Sequence, residues 1–208
     1  MKKLSLPPAL LKYQGVLYFI VVLLTSHFFW KFTMKGDESD DAVTFFGIDL
    51  TPGFEAASTH VAITTAFFLD LTGFDVTLNK DNVIRHTNGN AVKIVWACTG
   101  LKQAYIFFCI IAFYAGSWKR KLWYIPAGLV VVYLFNIFRI TYISAAMKDH
   151  PEQFDLLHLY IFKYLYYGVI FLMWVLWEEK IRIKSQEPRV KSQESRVKSQ
   201  ESRVKNKD

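Results

Sequence analysis

Four apolar runs, each bounded by charged clusters, constrain this chain more than any other feature. They cover about 15–32, 96–117, 122–147 and 156–177. A helix needs about 20 apolar residues to cross a bilayer, and hydrocarbon offers no partner for an unbonded backbone amide. Runs of this length therefore predict transmembrane helices. The mean hydropathy of +0.18 hides them, because a charged tail dilutes a chain that is 52% hydrophobic. The 25 Lys and Arg exceed the 18 Asp and Glu. Much of that excess flanks apolar runs or lies in the tail, where membrane topology explains it and no nucleic-acid partner is needed. The two cysteines form no C-x-x-C pair, so neither a metal cluster nor a disulfide framework is expected, and no cofactor.

Charge sets the expected orientation. Lys2, Lys3 and Lys12 precede the first run, and the acidic stretch Asp37, Glu38, Asp40 and Asp41 follows it. Lysines are retained in the cytoplasm, so the acidic loop is expected outside, with Lys31 and Lys35 snorkelling to the interface. Lys119, Arg120 and Lys121 mark the cytoplasmic end of the next pair of helices. The run at 96–117 must then start outside. Residues 55–73, which contain Glu55, His60 and Asp70, are expected as an interfacial or re-entrant helix and not as a crossing. Between 74 and 97 hydrophobic and polar residues mix around Asn88-Gly89, a strong turn signal that predicts a small outer β-hairpin. The expected fold class is an all-α polytopic membrane protein with about four crossings. Residues 1–177 form its membrane domain. Residues 178–208 form a solvated basic tail of net charge +4 with heptapeptide repeats, whose single valine per heptad is too little for a coiled coil.

Three chemistry-bearing residues fall at one depth of this plan. Cys98 lies 21 residues before Lys119, Arg139 lies 18 after Lys121, and His158 lies 20 before Glu178. At 1.5 Å per residue these spacings are roughly 27–32 Å, one hydrocarbon thickness. Cys98 stands where an extended segment enters a helix, and a helix N-terminus stabilises a thiolate. Lys102, one turn on, adds positive charge. Arg139 inside so apolar a run is costly, and Asn136, three residues earlier, shares its face. Asp155 is positioned to cap the last helix and to orient His158. For each residue there is a plainer alternative: a packed thiol, a snorkelling arginine, an interfacial histidine. Cys109, about 16–17 Å deeper in apolar company, is expected to be packing alone. His27, His60, His86 and His150 lack comparable partners in this plan, with His60 the reserve.

A thiolate to attack a carbonyl, a histidine to shuttle the proton and an arginine to stabilise the oxyanion make an acyl-transfer set. Ala97-Cys98-Thr99-Gly100 opening one apolar helix, Asn136-Ile137-Phe138-Arg139 late in the next, and His158 opening the last resemble the exosortase/archaeosortase superfamily. Pro126-Ala127-Gly128 and the hairpin before the cysteine extend the resemblance over about 74–177. It implies a membrane cysteine transpeptidase of the bacterial inner membrane, with its site facing the periplasm or exterior. Such an enzyme recognises a C-terminal sorting signal made of a short motif, a transmembrane helix and a basic cluster. It cleaves near the motif and passes the acyl group to an envelope acceptor. The roles carried over are Cys98 as nucleophile, Arg139 as stabiliser of the carbonyl oxygen and His158 as acid/base, with the substrate's signal helix and membrane lipid as partners. The rival expectation is a non-catalytic subunit of an envelope export or assembly system. In it Arg139, Asn136 and Lys102 form a structural polar network and Cys98 is packing.

Overall fold

The apolar runs become helices around two buried clusters. The computed structural model describes residues 13–36 and 42–183, with side chains through Lys180. The N-terminal lysines, the acidic residues 37–41 and the repeats of the tail lie outside the described residues. Helix α1 is Gln14–Thr33, followed by strands β1 (Met34–Lys35), β2 (Thr44–Phe45) and β3 (Ile48–Asp49). Helix α2 is Thr51–Leu71, and strands β4 (Val76–Leu78), β5 (Val83–His86) and β6 (Ala91–Lys93) come next. A 3-10 turn at Trp96–Thr99 leads into α3 (Leu101–Phe113), and α4 (Trp118–Asp149) follows. The chain ends in a 3-10 turn (Pro151–Gln153), a π-helical turn (Leu156–Ile161), α5 (Phe162–Leu176) and a second π-helical segment (Trp177–Ile183).

Among the described residues, three helices are long and apolar enough to cross a membrane: Gln14–Thr33, Trp118–Asp149 and Pro151–Lys180. The expected run at 96–117 is interrupted at Gly100, and α3 keeps 13 residues, about 20 Å. Helix α2 has the length to cross but is not among the apolar three, because Glu55, His60 and Asp70 interrupt it. Pro52 suits its first turn, where a missing N–H costs nothing, and Asp49 Oδ1 accepts from Thr51 N at 2.9 Å.

The segment expected to hold one hairpin forms a three-stranded antiparallel sheet, β4-β5-β6. The Asn88-Gly89 turn joins β5 to β6, with Gly89 at φ +94° and its N–H bonded to His86 O. A second three-stranded sheet, β1-β2-β3, was not expected. Its strands are two residues each, too short to leave a periodic signal, and Phe46-Gly47 turns β2 into β3 with both φ positive.

One cluster joins α1, α3, α4 and α5 through Phe19, Phe107, Ile110, Val132, Ile170 and Trp174. Gly128 lets α3 close on α4, because a Cβ there would lie 2.1 Å from the Phe107 ring. The second cluster joins α2, the β4-β5-β6 sheet and α4 through Val61, Leu69, Ile84, Ile94 and Ile140, and Cys98 belongs to it. Both clusters rest on α4, so the turn carrying Cys98 is packed against the helix carrying Arg139.

Candidate active site

The 3-10 turn Trp96–Thr99 is fixed from inside and outside. Cys98 N donates to Val95 O at 2.8 Å, and Thr99 Oγ1 donates to Trp96 O at 2.7 Å. Gly100 then takes φ +76°, a conformation L side chains rarely adopt. A Cβ at Gly100 would sit 2.8 Å from Asn136 Cγ, so glycine also permits the approach of α4. Asn136 is fully buried, and its Nδ2 donates to Cys98 O at 2.8 Å. The backbone of the cysteine is thereby tied to α4.

Arg139 follows Asn136 by three residues on the buried face of α4, 5% exposed. The Cys98 side chain, 6% exposed, is within its electrostatic reach. Arg139 Nη2 donates to His158 Nδ1 at 3.3 Å. A guanidinium only donates, so Nδ1 is the acceptor and the neutral imidazole carries its proton on Nε2. The ring of His158 stacks on Phe154 with centroids 5.1 Å apart and planes 12° from parallel. Phe154 stands four residues earlier, and the π-helical turn at Leu156–Ile161 widens the helix where His158 sits.

Arg139 and His158 line a cavity of about 530 Å³. Ala97 and Thr99, the two neighbours of Cys98, form part of the same wall, and so does Lys102. Cys98 itself is buried and does not line the cavity. Of the expected site residues, the fold thus brings together Arg139, His158 and Lys102 on one cavity and binds Asn136 to the cysteine turn. Cys109, 5% exposed in α3, lies off the cavity, and no disulfide joins the two cysteines.

Asp155 does not cap the last helix, though its carboxylate lies within electrostatic reach of His158. It has helical dihedrals (φ −63°, ψ −40°) and makes no side-chain cap hydrogen bond. The chain is already coiled from Pro151 onward, so Asp155 is not at the extended cap position. His158 Nδ1 is held by Arg139 instead. The reserve histidine is also corrected: His60 Nε2 is 2.8 Å from Tyr133 OH, away from the cavity. His27, expected to lack partners, lines the cavity with Nδ1 3.1 Å from Tyr167 OH. The signal for it was in the sequence, since an ionisable residue inside an apolar run faces the protein interior by default. Phe154 and Tyr167 left no such signal among so many aromatic residues. His86, 2% exposed, has its Nε2 2.8 Å from Ser144 O, and exposed His150 pairs with Glu152.

A family model described as transmembrane exosortase matches residues 44–177, well over half of the chain. The chain belongs to the transmembrane exosortase family. The match reaches further toward the N-terminus than the motifs do, taking in β2, β3 and α2 along with the cysteine turn. This exosortase-family chain is a membrane protein by that membership and by its long apolar helices. No curated protein and no solved structure matches it.

Proposed function

We propose that this exosortase-family membrane protein is a cysteine transpeptidase. It cleaves a C-terminal sorting signal of exported proteins at the outer face of the bacterial inner membrane. The observation that carries the reading is the Arg139–His158 pair on a cavity wall that also holds both neighbours of Cys98. In this reading Cys98 is the nucleophile, Arg139 the oxyanion donor and His158 the acid/base. The substrate's carbonyl oxygen accepts from Arg139 in place of His158 Nδ1. That exchange frees Nδ1 to take the thiol proton as the thiolate attacks the carbonyl carbon. The proton passes to the leaving amine as the C–N bond breaks, leaving an acyl-cysteine for the acceptor nucleophile. A permanent cation in a water-poor site stabilises the developing oxyanion more than it would in water.

The test follows a co-expressed substrate bearing the motif, helix and basic cluster. Cys98→Ala and Cys98→Ser abolish its processing, and Cys109→Ser leaves it intact. Equal processing in all three variants would sink the reading. An impermeant thiol reagent separates it from a non-catalytic subunit: outside labelling of Cys98 that substrate suppresses favours the enzyme, and labelling only from the cytoplasm favours the subunit.

A further inference from the structure

Cations from four helices converge on the same cavity. Lys31 comes from α1, Lys102 from α3, Arg139 from α4 and Lys163 from α5. His27 lies within electrostatic reach of all three lysines. Among the described residues the lining contains no Asp or Glu. Arg139 is buried, and its Nε has no hydrogen-bond partner. Lys31 and Lys163 are exposed and Lys102 is half-buried, and like charges gathered around one space raise a positive potential that favours an anion there. The acyl-transfer set uses Arg139 and His158, with Lys102 adding charge beside the cysteine turn, and leaves Lys31 and Lys163 without a part.

We propose that this cavity binds a phosphate-bearing group through Lys31, Lys102 and Lys163, beside Arg139. A carboxylate needs one cation. Several flexible ammonium groups around one space suit an anion with more charge and more acceptor oxygens, and lysine meets phosphate as a point charge. A volume of about 530 Å³ accommodates a headgroup and not merely an ion. Lys31 stands in the last turn of an apolar membrane-length helix, and Trp30, Trp96 and Tyr167 line the cavity near it. Aromatic and basic residues at the end of a span occupy the level of lipid phosphates. The group is the headgroup of an anionic lipid, or the same chemistry on a soluble phosphate compound. This binding goes beyond the proposed cysteine chemistry and stands without it.

The experiment uses the full chain in phosphatidylcholine nanodiscs. Short-chain phosphatidylglycerol, the uncharged diacylglycerol of the same chains and inorganic phosphate are titrated separately, with bound ligand read by native mass spectrometry. Phosphatidylglycerol is expected to bind at least about tenfold more tightly than diacylglycerol. The triple variant Lys31→Gln/Lys102→Gln/Lys163→Gln loses at least about tenfold in affinity. Lys80→Gln/Lys93→Gln, on a separate surface, loses none. If the triple variant does not fold, Lys163→Gln alone must weaken binding about threefold or more. Binding of inorganic phosphate with the same lysine dependence, and none of the lipid, supports the proposal with a soluble source. Diacylglycerol binding as tightly as phosphatidylglycerol overturns it, and so does affinity indifferent to the lysines. Binding that appears only after Asp37, Glu38, Asp40 and Asp41 are made amides also overturns it, because the chain would then answer its own charge.

Discussion

Helix α4 buries two cations, Lys121 in its first turn and Arg139 in its second half, and the two have different surroundings. Lys121 is 4% exposed, and its Nζ donates to Ala112 O at 2.7 Å and Tyr114 O at 2.6 Å. It caps the C-terminus of α3, where unpaired carbonyls and the helix dipole favour a cation, and it lies 4.7 Å from the centroid of the Trp118 ring. Arg139 is as deeply buried but faces a cavity, with one histidine for a partner and an unbonded Nε. Buried polar groups are nearly always satisfied, so the contrast is informative. The lysine completes the fold. The arginine leaves a buried donor unused among the described residues.

The contrast breaks first at Arg139. Arg139→Lys keeps the charge but loses the fork, and processing of the co-expressed substrate is expected to fall about 10²-fold or more. The thermal midpoint of the purified protein stays close to that of the parent. A large loss of stability with normal processing per folded molecule would make Arg139 another Lys121. Gly100→Ala comes next. It forces a Cβ into a left-handed conformation and against Asn136, costing about 1–3 kcal/mol, and it displaces the cysteine turn. Processing is expected to drop about tenfold beyond what the loss of folded protein explains. Lys121→Met, by contrast, strands two carbonyls and should cost about 1–3 kcal/mol in unfolding measurements with no change in processing per folded molecule.

Much of this contrast was legible in the sequence, though unevenly. Arg139 and Asn136 stood out because polar residues in an apolar run must face inward, and the charged clusters placed His158 at the same depth. Equal depth does not by itself make neighbours; the packing of α5 on α4 brings Arg139 Nη2 within 3.3 Å of His158 Nδ1. Lys121 was read only as part of a cytoplasmic charge marker, and its fold role was not seen. A Lys-Arg-Lys cluster reads as solvated, and nothing local tells which member folds back onto the preceding helix. The match of α1 to the cavity was missed because Lys31 was read as snorkelling to the interface and His27 as lacking partners, although an ionisable residue in an apolar run faces inward by default. The small β1-β2-β3 sheet depends on pairing across residues 37–41, and two-residue strands carry no period. The break of the 96–117 run at Gly100 was visible as a glycine, but the close approach of Asn136, from 36 residues further along the chain, was not.

The smallest expected effect sharpens the contrast further. Each cation region has an aromatic neighbour: Trp118 against Lys121, and Phe154 stacked on His158. Under Lys121 the ring adds to an ammonium already fixed by two carbonyls, so its removal should touch stability alone. Phe154 instead holds the plane of a ring whose hydrogen bond, the 3.3 Å contact to Arg139, is long. Phe154→Leu keeps apolar volume and removes the stacking, about 0.5–1.5 kcal/mol of orientation, which corresponds to about a twofold to tenfold loss of processing. Phe154→Tyr preserves the stack and should restore the parental rate. A positioning role also predicts a changed pH profile of processing in Phe154→Leu, since a loosened imidazole no longer holds Nδ1 toward Arg139. An unshifted profile with a lowered thermal midpoint would reduce Phe154 to packing and leave His158 oriented by Arg139 alone.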